Sequence, residues 1–227
     1  MKISIVTTAY NEERNILPLL KEIEGAFKNI DYELLFVNDG STDKTLAETD
    51  RAKNKRTKII NLAKRQGKSF ALYTGLKNTS NEIIATIDAD LQNNPKDVLK
   101  LLKILRSQGC DFCCGWRHKR NDVFLKRISS KIGHYFTNIF LKTGLHDINC
   151  PLMVFKKDCL KKIIFFENFH RFFPALVKFQ GYKICEAKIE DRPRLHGKSK
   201  YGIRNRVFGS LKTILMIKYN KKSFLEK

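Results

Sequence analysis

The first 114 residues switch repeatedly between two hydrophobic periods, and that alternation limits the possible folds more than any other feature. Residues 3–8 (ISIVTT), 32–37 (YELLFV), 58–62 (KIINL), 82–87 (EIIATI) and 111–114 read as short strands. Between them, Ile16, Leu17, Leu20, Ile23 and Phe27 recur at helical spacing, with Pro18 near the start of the run. Phe70, Tyr73 and Leu76 do the same after Gly67, as do Leu99, Leu102, Ile104 and Leu105 after Pro95. Ser41, Thr42 or Asp43 offers a cap for a further helix reaching Arg51. Strands alternating with helices predict an α/β fold: a mostly parallel sheet with helices on both faces. In such sheets ligands bind beyond the carboxyl ends of the strands. Polar clusters fall at those ends, at 10–12, 38–43 and 88–92.

Asp88-x-Asp90 directly follows an apolar strand, with Leu91-Gln92 next. Two carboxylates one residue apart can share a hard divalent cation, Mg²⁺ or Mn²⁺, which keeps waters and takes substrate phosphates. A capped loop is the plain alternative for the motif alone. Asp39 is a turn residue that can also accept hydrogen bonds from a nucleobase N–H or a ribose hydroxyl. Tyr10 can lie against a base or pack as a half-buried aromatic. The two Gly-Lys-Ser triplets are not P-loops, because Leu62 and Arg192 stand where the first glycine is required, and no G-x-G-x-x-G occurs.

Charge separates the two halves of the chain. Residues 1–114 hold 18 basic and 15 acidic side chains, whereas residues 115–227 hold 26 and 8. The second half therefore expects an anionic partner: nucleic acid, an anionic membrane surface or a phosphorylated substrate. Residues 123–141 place Phe124, Ile128, Ile132, Tyr135, Phe136, Ile139 and Phe140 on one helical face, with Lys126, Arg127 and Lys131 off it. Such a helix suits a membrane interface or an ordinary core. The apolar-basic stretch 207–219 favours a lipid-facing role, and cations beside anionic lipid contribute roughly 1 kcal/mol each. No stretch approaches the ~18 apolar residues of a membrane span, and no secretory leader is expected. Cys110 and Cys113 have a C-x-x-C spacing, but no second pair completes a zinc set, so reduced core thiols are expected.

Together, TTAYNEE (7–13), VNDGSTD (37–43), KRQGKSFALYTGL (64–76), DADLQNNP (88–95), GWR (115–117), KRISS (126–130), HDINCPLMVF (146–155), HRFFPAL (170–176) and DRPRLHGKSKYG (191–202) carry a resemblance. The chain resembles family 2 glycosyltransferases of the GT-A fold, in the polyprenyl-phosphate branch typified by dolichol-phosphate mannose synthase. The motifs occur in family order over nearly the whole chain. Thr8 stands where the family usually has Pro, and Asn149-Cys150-Pro151-Leu152 replaces a small-Gly-Phe-Arg pattern; no implied metal ligand is lost. The resemblance implies a GT-A domain over 1–202, divided into a nucleotide-sugar and metal half (1–114) and an acceptor half (115–202). A basic amphipathic segment over 203–227 follows. It implies that Thr8, Ala9, Tyr10, Glu12, Asp39, Lys68 and Asp88 hold the nucleotide-sugar. Asp88, Asp90 and Gln92 would bind Mg²⁺ or Mn²⁺ and the donor diphosphate. Arg117, Arg127, Ser130, Arg194, Lys198, Ser199 and Lys200 would receive phosphate, with Asp88, Asp90, Arg117 and Asp147 as the catalytic set.

The expected reaction is inversion at the anomeric carbon by a polyprenyl phosphate oxygen as nucleoside diphosphate leaves. Because the second pKa of a phosphate monoester is about 6, the nucleophile is already ionised at neutral pH and no general base is required. Asp147 would orient an acceptor-site Arg or the sugar, and His146, His170 and His196 need no catalytic part. The expected location is peripheral, on the cytoplasmic face of the membrane, with a separate membrane protein as a possible partner. One rival is transfer to a sugar or lipid hydroxyl, with Asp147 as base. A rival of another class is a nucleic-acid-binding module, which rests on charge alone without an aromatic RNA-binding motif, zinc finger or basic zipper.

Overall fold

The computed structural model describes residues 2–118, 137–196, 213–219 and 224–225. Its first half repeats strand and helix as β1 (Lys2–Ala9), α1 (Glu13–Ala26), β2 (Asp31–Asn38), α2 (Thr45–Ala52), β3 (Thr57–Asn61), α3 (Lys68–Lys77), β4 (Ile83–Asp88), α4 (Pro95–Ser107) and β5 (Phe112–Arg117). The second half adds β6 (Met153–Lys156), α5 (Phe169–Phe179) and β7 (Ile184–Ile189). All five strands read from the sequence are present. Helix α1 starts at Glu13, earlier than the apolar spacing suggested, so Pro18 lies inside it. Helix α4 begins on Pro95, with the Asn94 side chain accepting the Lys96 N–H at 3.0 Å.

The strands form one seven-stranded sheet in the order β3-β2-β1-β4-β6-β5-β7. β6 runs antiparallel to both neighbours, and the remaining pairs are parallel. The chain order reverses between β1 and β4, and in sheets of this kind ligands bind at the carboxyl ends of the strands beside such a reversal. One face of the sheet packs on Ile16, Leu19, Ile23, Val98, Leu101 and Leu105 of α1 and α4. The other packs on Leu72 and Leu76 of α3 and on Phe169, Phe173 and Leu176 of α5.

Helix α3 reaches the sheet through a glycine. A Cβ on Gly75 would lie 2.5 Å from Val6 Cγ1 and 3.0 Å from Val37 Cγ2. Both valines are fully buried in the sheet and cannot retreat. Overpacking costs about 1–3 kcal/mol, against roughly 1 kcal/mol by which Ala exceeds Gly in a helix. Gly75→Ala is therefore expected to unfold at lower urea than the parent. An unchanged midpoint would show that α3 can lift off the sheet.

Residues 213–219 are helical, and their spacing divides them between two environments. Ile214 and Ile217 are buried in the core shared with α5, while Leu215, Met216 and Tyr219 are exposed. Ile163 also bridges to Leu225. The described part of the C-terminal segment thus packs on the domain through one face and leaves the apolar side chains of the other face exposed. Most of the helix expected over 123–141 lies outside the described residues; 137–141 is helical, with Leu141 buried and Ile139 exposed. Among the described residues no helix is long and apolar enough to cross a membrane.

All six cysteines are buried free thiols. Burial raises the Cys110, Cys150 and Cys159 thiols to about 12, and it also raises Cys114 well above the ordinary thiol range. A hydrogen bond with Cys113, and then burial, does the same to Cys185. Protonated at neutral pH, these five shifted thiols are packing groups rather than nucleophiles.

Candidate active site

Strand register brings the polar clusters together. Thr8 lies abreast of Val37 in β2 and Asp88 in β4, and Ala9 abreast of Asn38. Asp39 donates its N–H to Ala9 O at 2.8 Å, and Leu62 donates to Asn38 O at 2.9 Å. Asn11, at φ 52°, fastens the first loop to the second. Its N–H donates to Ser41 Oγ at 3.0 Å, and its Oδ1 accepts the Thr42 N–H at 2.8 Å. The Glu12 N–H donates to Thr45 Oγ1 at 2.8 Å, while the Glu12 carboxylate accepts Asn15 Nδ2 at 2.6 Å.

The Asp39 carboxylate organises the next loop by accepting the Gln66 N–H at 2.7 Å and the Gly67 N–H at 3.0 Å. The crossing is tight at Gly40, φ 63°, where a Cβ would sit 2.4 Å from Arg65 N. This clamp brings Arg65 over the Tyr10 ring, 4.3 Å from its centroid. The result is a Tyr10 ring with the Arg65 guanidinium over one face.

Asp88 and Asp90 stand at the end of β4, each against a different cation. Lys68 Nζ, at the start of α3, is 2.7 and 2.6 Å from the two Asp88 oxygens. Arg194 Nη2, from the loop after β7, donates to Asp90 Oδ2 at 2.5 Å and to Gln92 Oε1 at 3.2 Å. Burial, then the neighbouring Asp88 charge, pushes the Asp90 carboxyl above the usual carboxylate range, against the pull of Arg194 and Lys68. The Asp88 and Asp90 carboxylates and the Gln92 amide oxygen, balanced here by cations from two other segments, are hard oxygen donors of the kind that would hold Mg²⁺ or Mn²⁺ with water and substrate phosphate completing the shell.

Across the sheet, Arg117 ends β5 beneath the 144–151 loop. Arg117 Nε and Nη2 donate to the two oxygens of Asp147 at 2.7 and 3.1 Å, and Nη2 also donates to Asn149 O at 3.3 Å. The Arg117 and Asp147 side chains are 16% and 7% exposed, so the pair is screened from water. Burial works against the Arg117 charge, yet Asp147 outweighs it and keeps the guanidinium protonated throughout the working pH range.

The family model for Glycosyl transferase family 2 matches residues 4–164. The chain belongs to glycosyl transferase family 2. This glycosyltransferase is 31% identical over 227 residues to dodecaprenyl-phosphate galacturonate synthase of Rhizobium johnstonii, a match covering 96% of the chain and 67% of that protein. It is 27% identical to an undecaprenyl-phosphate 4-deoxy-4-formamido-L-arabinose transferase of Edwardsiella ictaluri, over 88% of the chain and 63% of that relative. The chain thus spans about two thirds or less of these relatives' lengths. Glucosyl-3-phosphoglycerate synthase from Mycobacterium tuberculosis, in complex with Mn²⁺, UDP and glucosyl-3-phosphoglycerate, superposes with a TM-score of 0.75 at 18% identity. That superposition covers 94% of this chain and 79% of the other, and shows the α/β GT-A fold.

Of the residues singled out in the sequence of this family 2 glycosyltransferase, Thr8, Ala9, Tyr10, Glu12, Asp39, Lys68, Asp88, Asp90 and Gln92 line one rim. Arg117 and Asp147 pair beyond it. Arg194 contacts the acidic loop directly. Arg192, two residues before Arg194, pairs with Glu22 of α1 at 2.8 Å. Arg127, Ser130, Lys198, Ser199 and Lys200 lie outside the described residues. Arg65 and Glu186 were missed. Arg65 sits within the KRQGKS motif, but its approach to Tyr10 depends on a loop crossing that no local pattern encodes.

Proposed function

We propose that this glycosyltransferase moves a sugar from a nucleotide-sugar to a polyprenyl phosphate, with inversion at the anomeric carbon. The observation that carries the reading is the opposition of the Asp88/Asp90 carboxylates and the buried Arg117–Asp147 pair at the carboxyl edge of one sheet. The polyprenyl-phosphate sugar transferases among its relatives support the same reading. Tyr10 and Asp39 hold the nucleotide, and Asp88, Asp90 and Gln92 hold Mg²⁺ or Mn²⁺. Bound there, such a cation would neutralise charge on the leaving diphosphate. Lys68 and Arg194, paired with those carboxylates, would add positive charge for the donor phosphates.

On the acceptor side, Arg117 offers its Nη1 edge to a phosphate oxygen while Asp147 holds the rest of the guanidinium. That oxygen forms a bond to the anomeric carbon as the bond to the nucleoside diphosphate breaks. The ionised phosphate needs no base. Hydroxyl transfer, the rival reaction, needs a carboxylate ready to take a proton. Asp147 is poorly suited to that, since both of its oxygens accept Arg117 N–H groups.

A membrane face fits this acceptor. Ile139, Leu215, Met216 and Tyr219 are exposed, and Lys218 Nζ lies 4.6 Å from the Phe140 ring centroid, which brings the two helical segments together. The protein is expected to sediment with anionic vesicles more than with zwitterionic ones, and less at high salt. Changing Leu215 and Met216 together to Asp is expected to weaken vesicle binding about tenfold or more. Unchanged binding would exclude this face. The reaction itself is tested by incubating UDP- and GDP-sugars with Mn²⁺ or Mg²⁺ and undecaprenyl phosphate, products being read by mass spectrometry. A sugar phosphodiester of the lipid is expected; transfer only to a hydroxyl acceptor would overturn the proposal.

A further inference from the structure

The loop carrying Asp147 is anchored by a carboxylate outside the proposed reaction. Glu186 lies in β7, abreast of Cys114 in β5, with its side chain 11% exposed. Its Oε1 and Oε2 accept the His146 N–H at 2.9 and 2.8 Å, and Oε1 accepts the Asp147 N–H at 3.1 Å. His146 Nδ1 is a further 2.9 Å from Oε2. Two consecutive amides thus converge on one carboxylate, an arrangement of charge-assisted bonds that fixes the backbone more firmly than neutral acceptors would. The Trp116 ring stacks on His146 at 4.1 Å with 16° between the planes, holding the same turn from β5.

Each link from Glu186 to the guanidinium is direct. Glu186 holds the 146–147 backbone, Asp147 holds Arg117 Nε and Nη2, and Asn149 O accepts from Nη2 as well. A guanidinium has five N–H groups in a rigid fork, so these bonds fix its plane and leave the Nη1 edge outside them.

We propose that Glu186 is a positioning residue for the acceptor: through the 146–147 backbone and Asp147, it aims the Nη1 edge of Arg117 at the acceptor phosphate. The proposal rests on the transfer reaction proposed above. A side chain behind a substrate-binding group can matter strongly, because displacement of a reacting partner by about 1 Å can lower turnover about a hundredfold.

The test is Glu186→Gln, nearly equal in volume, which turns an amide NH₂ toward N–H groups that now find oxygen. The first readout is hydrogen exchange of the Arg117 Nε–H resonance in a ¹⁵N spectrum, assigned by its disappearance in Arg117→Lys. The expected result is exchange about tenfold or more faster in Glu186→Gln, since the bond to Asp147 loosens. The second readout is kinetic. The acceptor KM is expected to rise about tenfold while the donor KM stays within about twofold, with no further rise when Glu186→Gln is added to Arg117→Lys. Parent-like exchange of Arg117 Nε–H would overturn the proposal, as would a full additional acceptor penalty in the Arg117→Lys background. If Glu186→Gln fails to fold, Glu186→Asp, which keeps the charge but shortens the reach, is carried through the same measurements. If the parent transfers nothing to polyprenyl phosphate, the transfer reading fails, and the Nε–H exchange still decides whether Glu186 sets the Arg117 geometry.

Discussion

Asp90→Asn is expected to lower sugar transfer about a thousandfold or more while leaving the fold as stable as before. The activity loss follows from charge. Removing one of two carboxylates that hold a divalent cation forfeits several kcal/mol of transition-state stabilisation, and about 1.4 kcal/mol is tenfold in rate. Stability follows from the environment of Asp90. Burial first, and Asp88 second, raise its carboxyl above the ordinary range. The folded protein therefore takes up that proton more readily than the unfolded chain. This contribution is present below the unfolded pKa and is lost as pH rises through the folded one, so at neutral pH ionised Asp90 opposes folding. Asn removes that penalty, and Arg194, its side chain 27% exposed, can turn to water. The expected melting temperature at pH 7 equals or exceeds that of the parent. Transfer within tenfold of the parent would remove Asp90 from the reaction; a collapsed fold would make it a structural residue.

Arg117 has the largest expected effect on acceptor use, and the choice of substitution decides what is measured. Arg117→Ala takes both guanidinium hydrogen bonds away from the buried Asp147 carboxylate, so destabilisation of about 1.5–3 kcal/mol is expected in urea titrations. That variant would confuse folding with binding. Arg117→Lys keeps the charge beside Asp147 but cannot hold a carboxylate in two places and still present a planar edge to phosphate. Charge-assisted hydrogen bonds contribute about 1.5–3 kcal/mol, so the acceptor KM is expected to rise about ten- to a hundredfold. The donor KM should scarcely change. Equal rises in both constants would show that Arg117 does not belong to the acceptor side.

Much of this fold is legible from local pattern because parallel strands buried on both faces read as short apolar runs with sharp ends. The stretches ISIVTT, YELLFV and EIIATI behave in this way, and each becomes a strand. β6 was not recognised as a strand, since MVFK is four residues long and its antiparallel direction is set by neighbours distant in sequence. β7 alternates buried and partly exposed residues and was passed over within a basic region. The 213–219 segment shows a different limit. Its spacing announces an amphipathic helix, but whether Ile214 and Ile217 meet lipid or protein depends on the cavity that α5 and its neighbours provide.

The candidate site divides in the same way. Asp88-x-Asp90 after an apolar strand, Asp39 in a turn and Tyr10 beyond β1 could be picked out from the sequence, because strand ends converge in any parallel sheet. The pairings could not. Lys68 on Asp88, Arg194 on Asp90, Arg65 over Tyr10 and Glu186 beneath the Asp147 loop join residues far apart along the chain. By itself the sequence determined the strand–helix alternation, the carboxylates at one rim and the excess of positive charge in the second half, because each follows from neighbouring residues. Only the tertiary structure decided which cation neutralises which carboxylate and how the guanidinium of Arg117 is aimed, since those pairings depend on where separate loops cross.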